Sequence, residues 1–171
     1  MLTLMLFRHA KSSWATPDLA DFERPLARRG EKAAPRMGLL IKEQGLLPDL
    51  VFCSPATRTR QTLVLALKAM KAEPKVIFEE SFYLGQPSAI LSSLCAVKCH
   101  PQTIMVVGHN PGIHELALEL VGNSGRGEVS TLFGKFPTAS LAVIQFACNS
   151  WSDIQRCQGE LALYVTPRQI E

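Results

Sequence analysis

The sequence predicts an α/β fold in which a mixed, mostly parallel sheet is flanked by helices. Strand-like runs alternate with segments whose apolar residues recur at helical spacing, the pattern of repeated strand-helix-strand units. Three of those runs, residues 2–7, 50–53 and 103–107, are almost wholly apolar, as strands covered on both faces must be. Two later runs, 139–148 and 160–166, follow one another with no helical segment between them, only a turn near 149–153. Such strands pair antiparallel or lie apart, so the sheet is mixed.

Taken in order, residues 2–7 are apolar or β-branched and give way at once to Arg8-His9-Ala10-Lys11-Ser12-Ser13-Trp14. This reads as a buried strand with chemistry at its carboxyl end, where open α/β sheets bind ligands. Residues 11–23 form a polar loop, with Trp14 expected as its packing anchor. A helix is expected at 31–45, where Ala34, Met37, Leu40 and Ile41 recur at helical spacing; Gly45 closes it and Pro48 prevents its continuation. Pro35 lacks a backbone donor, so it belongs in the first turn or at a bend. Residues 49–53 form the second strand and 56–71 the second helix, with Leu63, Leu67 and Met70 on one face. A third strand at 75–78, a helix at 88–97 and the fourth strand at 103–107 follow. The next helix runs from Pro111 to Val121, proline at its start and Gly122 at its end. Residues 123–131, with two glycines, two serines and Arg126, read as a mobile loop.

Composition narrows the function classes. A chain of 171 residues fits one domain, 1–171, and its 47% hydrophobic and 19% charged content is that of a soluble globular protein. No apolar run approaches the ~20 residues of a membrane helix, and residues 2–7 are too short for a signal-peptide core and have no basic segment before them. A cytoplasmic protein with no membrane partner is expected. The net charge is only +3, basic residues are spread along the chain and aromatics are 7%, which disfavours a nucleic-acid partner. The five cysteines show no CxxC pairing, so free thiols are expected. Cys95, Cys99 and His100 lack a fourth ligand nearby and read as a helix end with incidental cysteines, not as a zinc site.

Three junctions carry chemistry. In Arg8-His9 a planar donor fork suited to phosphate oxygens stands beside an imidazole able to attack or shuttle protons. Ser54-Pro55-Ala56-Thr57-Arg58-Thr59-Arg60-Gln61-Thr62 follows the second strand, and Gly108-His109-Asn110-Pro111-Gly112 follows the fourth. Arg58 falls in the first turn of its helix, where free backbone donors and the helix dipole favour an anion. Arg60 points about 200° away round the helix, so the two do not share one phosphate, and Arg60 reads as a solvated surface arginine.

With these three motifs in this order, the chain resembles the histidine phosphatase superfamily, whose pattern is Arg-His-Gly near the N-terminus, Ser-Pro-x-x-Arg-x-x-Gln-Thr in the middle and Gly-His later. Arg24-Pro25-Leu26-Ala27-Arg28-Arg29-Gly30 further resembles a tract of the short bacterial phosphohistidine phosphatases. The resemblance implies a three-layer sandwich of the phosphoglycerate mutase-like type, with no metal and no cofactor. It assigns His9 as nucleophile, with Arg8 and Arg58 as donors to the phosphoryl oxygens, His109 as a further donor if protonated, and Ser12 and Arg24 as substrate-binding residues. Ala10 and Lys11 stand where the family has Gly and Glu. Ala10 is small enough to let the backbone approach a phosphate.

Larger relatives carry a glutamate after the third strand that protonates an alcohol leaving group. Alignment on Phe82-Tyr83 puts Leu84 there, leaving Glu79 and Glu80 only under a shifted register, with Glu80 the candidate acid. An alkoxide needs a proton donor, whereas imidazole, with a pKa of ~6.5, leaves readily. The leading expectation is therefore a phosphatase acting on phosphohistidine in a protein. A phosphatase or mutase for a small phosphorylated metabolite, and a phospholigand-binding module without turnover, are the alternatives. The short chain disfavours the mutase, and the intact His9 disfavours the binding module.

Overall fold

The computed structural model describes residues 1–121 and 134–170. Among them, strands and helices alternate through most of the chain: β1 (Leu2–Arg8), α1 (Arg28–Glu43), β2 (Leu50–Cys53), α2 (Thr57–Met70), β3 (Lys75–Phe78), α3 (Pro87–Cys95), β4 (Thr103–Gly108), α4 (Gly112–Val121), β5 (Leu141–Phe146) and β6 (Glu160–Val165). The strands form one sheet in the order β3-β2-β4-β1-β5-β6. The β3-β2, β2-β4 and β4-β1 pairs are parallel, and the β1-β5 and β5-β6 pairs antiparallel. The sheet is therefore mixed, as the helix-free connection between the last two strands requires.

The period-2 alternation of β1 divides the core. Leu4 and Leu6 face one side and pack with Ile90, Leu94, Ile113 and Leu116 of α3 and α4. Met5 and Phe7 face the other and pack with Met37, Ile41, Leu63 and Met70 of α1 and α2. All four of these β1 side chains are fully buried, which is why the run carries no polar alternation. The result is the three-layer sandwich of the phosphoglycerate mutase-like fold.

α1 begins at Arg28, three residues before the expected start, because Ala27 is extended and its carbonyl already accepts the amide of Glu31 at 3.0 Å. Pro35 consequently lies inside the helix and not in its first turn. The missing donor falls on the carbonyl of Glu31, an exposed residue. The first turn of α1 is held close to the strand exit: a Cβ on Gly30 would meet the carbonyl oxygen of Lys11 at 2.2 Å, so the glycine that ends the Arg-Pro-Leu tract permits this approach. The other helix limits lie within one or two residues of expectation, and β3 agrees at both ends. The loop expected at 123–131 lies outside the described residues.

Candidate active site

The motif residues converge at the carboxyl ends of β1, β2 and β4, three adjacent strands. His9 follows β1, with its amide donating to Gly108 O and its carbonyl accepting from Ala139 N, both at 3.0 Å. The residue is buried, 7% exposed. Nδ1 lies 2.8 Å from the carbonyl oxygen of Ala10. A carbonyl can only accept, so Nδ1 carries the proton and Nε2 keeps its lone pair. Burial, with the charges of Arg58 and Arg8 adding, lowers the His9 pKa to about 4 against the opposing pull of the Ala10 carbonyl. The ring is neutral at pH 7 and has the tautomer of a nucleophile.

The middle motif does more than supply an arginine. Thr62 Oγ1 accepts the Ala10 amide at 3.0 Å and donates to Arg58 O at 2.6 Å, tying α2 to the backbone beside His9. Gln61 Oε1 accepts the Leu26 amide at 2.8 Å. Arg58 is 4% exposed, whereas Arg60 is exposed and lies over the Phe78 ring at 5.7 Å, so the helical phase read from the sequence separates the two as expected.

Ser54 Oγ stands 2.7 Å from His109 Nε2. The His109 pKa is lowered to about 3, by burial first and then by the nearby His9 and Arg58. His109 is thus neutral at pH 7, so it donates from the one ring nitrogen that carries a proton. The other ring nitrogen, Nδ1, is buried and has no hydrogen-bond partner among the described residues. Arg8 Nη1 donates to Phe136 O at 2.7 Å, while its buried Nε has no partner among the described residues. An unsatisfied guanidinium donor beside a histidine pair whose rings lie 5.1 Å apart is suited to the oxygens of an anion.

Two residues that sequence reasoning passed over complete the cluster. Asp21 Oδ2 accepts from Arg58 Nη2 at 3.1 Å and from the Tyr83 hydroxyl at 2.6 Å, Oδ1 accepts from Arg24 Nη1 at 2.8 Å, and the Asp21 carbonyl accepts from Arg58 Nη1 at 2.7 Å. The Tyr83 hydroxyl foremost, and then the two arginines, hold the Asp21 carboxyl well below the usual carboxylate range against the opposing effect of burial. Tyr83 also meets His109 edge-on at 5.5 Å. Nothing in the local pattern marks Asp21. The only signal is its position three residues before Arg24, which a 3-10 turn at Asp21–Glu23 makes a contact distance.

Ser12 and Arg24, expected to bind substrate, hold each other: Arg24 Nη2 donates to Ser12 Oγ at 2.7 Å and Nε to Ser13 O at 3.0 Å. Trp14 is 70% exposed and lies under the Arg24 guanidinium, 3.2 Å from the ring centroid, so it anchors the loop through a cation and not through the core. Glu80 is exposed and its carboxylate has no ion pair or hydrogen bond among the described residues. Among those residues no group of three or more His, Cys, Asp or Glu could hold a metal ion, and no helix is long and apolar enough to cross a membrane. Three guanidinium groups against one carboxylate leave the cluster with two net positive charges, a match for a phosphoryl dianion.

A buried, neutral histidine pair bracketed by arginines at the strand ends of an α/β sheet is the site of a phosphoryl-transferring enzyme. The chain belongs to the histidine phosphatase superfamily: residues 4–82 match the model of its branch 1. An uncharacterized chloroplastic protein of Arabidopsis thaliana is 37% identical over 163 residues, covering 88% of this chain and 69% of that one. The uncharacterized protein Rv1276c of Mycobacterium tuberculosis is 35% identical over 164 residues, 94% of this chain and 99% of its own. Among solved structures, one from Nakamurella multipartitia, named as a candidate phosphohistidine phosphatase SixA, superposes with a TM-score of 0.85 at 32% identity. It covers 97% of this chain and 96% of its own.

Proposed function

We propose that this phosphatase works through a phosphoryl intermediate on His9 and that its substrate is phosphohistidine in a protein. The observation that carries the mechanism is the bond between His9 Nδ1 and the Ala10 carbonyl, which leaves the Nε2 lone pair available beside two arginines. In this reading Nε2 attacks phosphorus in line as the bond to the leaving nitrogen breaks. Arg8, Arg58 and His109 Nδ1–H take the equatorial oxygens, where charge accumulates. The released imidazole takes a proton from solvent. Water then displaces the phosphoryl group from His9, yielding inorganic phosphate and free enzyme.

The choice of substrate rests on acidity. Asp21, the carboxyl group bonded into the cluster, is held deprotonated by Tyr83 and two arginines, and Glu80 is exposed and unpaired. An alkoxide would need a proton that the ionised Asp21 does not hold, whereas imidazole departs with little help. The similarity to the Nakamurella structure supports the same substrate class. The five cysteines are free thiols, which fits a cytoplasmic setting.

The test is kcat/KM for a phosphohistidine peptide, p-nitrophenyl phosphate and a sugar phosphate, with acid-quenched enzyme assayed for an acid-labile phosphoryl group. Peptide and aryl ester should far exceed the sugar phosphate, Glu80→Gln should change none of them, and the label should vanish in His9→Ala. A sugar phosphate as best substrate, with Glu80→Gln abolishing its turnover, would replace this reading with a metabolite phosphatase.

A further inference from the structure

We propose that a strip of six cations beginning at the rim of the His9 cluster docks an acidic segment of the phosphoprotein substrate; this rests on the phosphohistidine-protein reading above. Lys11, Arg29, Lys135 and Arg168 line a cavity of about 410 Å³, and a smaller recess of about 70 Å³ adds Lys32 and Arg36. The two share Arg29, Ala33 and Pro167, so they form one trough. Among the described residues no carboxylate lines either part and none of the six cations is in an ion pair. The chain carries 18 Lys and Arg against 15 Asp and Glu. A third of its cations are therefore gathered in one unneutralised strip, although they are spread along the sequence.

The strip is joined to the catalytic cluster through the backbone. Lys11 lies two residues beyond His9, Ala139 in the cavity wall donates its amide to His9 O, and Lys135 precedes Phe136, whose carbonyl holds Arg8. From there Arg29, Lys32 and Arg36 occupy positions i, i+3 and i+7 of α1, one helix face about 10 Å long.

Shape and lining select the ligand. Charges strung along a trough match an extended chain of carboxylates better than one compact anion, which would use a single cluster of donors. A nucleic acid would call for aromatic faces on which to stack bases. The aromatic residue in the lining, Tyr164, is buried at 4% exposure with its hydroxyl donating to Lys135 O. An acidic flank on the phosphohistidine protein would lie along α1 while its phosphoryl group enters between Arg8 and Arg58. Such complementarity acts mainly on encounter and is screened by salt.

The experiment compares two phosphohistidine peptides, one with a Glu/Asp-rich flank and one with a neutral flank, on wild type and on the Arg29→Glu/Lys32→Glu/Arg36→Glu variant. p-Nitrophenyl phosphate serves as a flank-free substrate. Wild type should prefer the acidic peptide by about 10-fold or more in kcat/KM at low salt. The preference should disappear in the variant and in high salt, while p-nitrophenyl phosphate turnover is kept, which also shows that the variant is folded. Equal rates for both peptides, or a preference that survives the triple reversal, overturns the docking strip. Turnover of the aryl ester with neither peptide cleaved overturns the phosphohistidine reading instead. In that case anisotropy of a fluorescent, unphosphorylated acidic peptide decides the strip: binding lost in the variant upholds it, and no binding, or equal displacement by pyrophosphate or an RNA oligonucleotide, removes it.

Discussion

The Ser54 hydroxyl stands 2.7 Å from His109 Nε2, a hydrogen bond that the other ring nitrogen, Nδ1, lacks among the described residues. A neutral ring has one accepting and one donating nitrogen and a hydroxyl can serve either, so the mechanism proposed above requires Ser54 to donate to Nε2 and leave the proton on Nδ1. Ser54→Ala should leave His109 free to exchange tautomers. We expect kcat to fall about 10–100-fold, the range for losing a partner that orients a ligand-contacting histidine, with KM little changed. Nitrogen NMR of the His109 ring should show the Nδ1–H form in wild type and a mixture in the variant. An unchanged kcat together with a mixed tautomer would show that the proton position does not matter.

Arg58 and Arg60 test the helix phase. Removing one donor to a developing oxyanion costs roughly 10²–10³ in rate. Arg58→Ala should fall that far, and Arg60→Ala, which removes an exposed side chain lying over Phe78, should stay within a few-fold. Equal losses in kcat would contradict the separation of the two side chains.

Asp21 holds Arg58 and Arg24 in place and also neutralises one positive charge. Asp21→Asn should therefore lower kcat, by about 10-fold if Arg58 is misaligned, without raising KM, since the cluster becomes more positive toward phosphate. Its side chain is 41% exposed, so the stability loss should be small, about 1 kcal/mol or less. Tyr83→Phe removes one of the same hydrogen bonds. A double-mutant cycle between the two should give a coupling of about 1 kcal/mol in activation free energy. Strict additivity would mean that they act separately.

Acid should destabilise the fold through the histidine pair. His9 and His109 have folded pKa values depressed from 6.5 to about 4 and about 3, so between these limits the unfolded chain binds protons that the folded chain refuses. Their contribution is intact above pH 6.5 and is lost as the pH falls toward 4 and 3. Urea unfolding should lose about 3 kcal/mol between pH 6.5 and 5 on their account. The His9→Ala/His109→Ala variant should lack most of this slope, and identical slopes in the two proteins would show that the rings are not buried neutral.

The alternation of apolar runs with helical periodicity, the three charged junctions and the opposed phases of Arg58 and Arg60 were all legible in the sequence. Each depends on residues within a few positions of one another, where the geometry of strand and helix is enough to predict which way a side chain points. Of the two places open to Pro35, the first turn is excluded because a breaker shows where a helix is weak, not where it starts; the start is set by the Ala27 carbonyl and the Gly30–Lys11 contact. Tertiary structure alone decided the chemistry of the site. Ser54 meets His109 across 55 positions, Tyr83 meets Asp21 across 62 and Arg58 meets Asp21 across 37. Proton positions, pKa shifts and charge clusters follow from distance and burial in space, and a one-dimensional order of residues contains neither until the sheet brings its strand ends together.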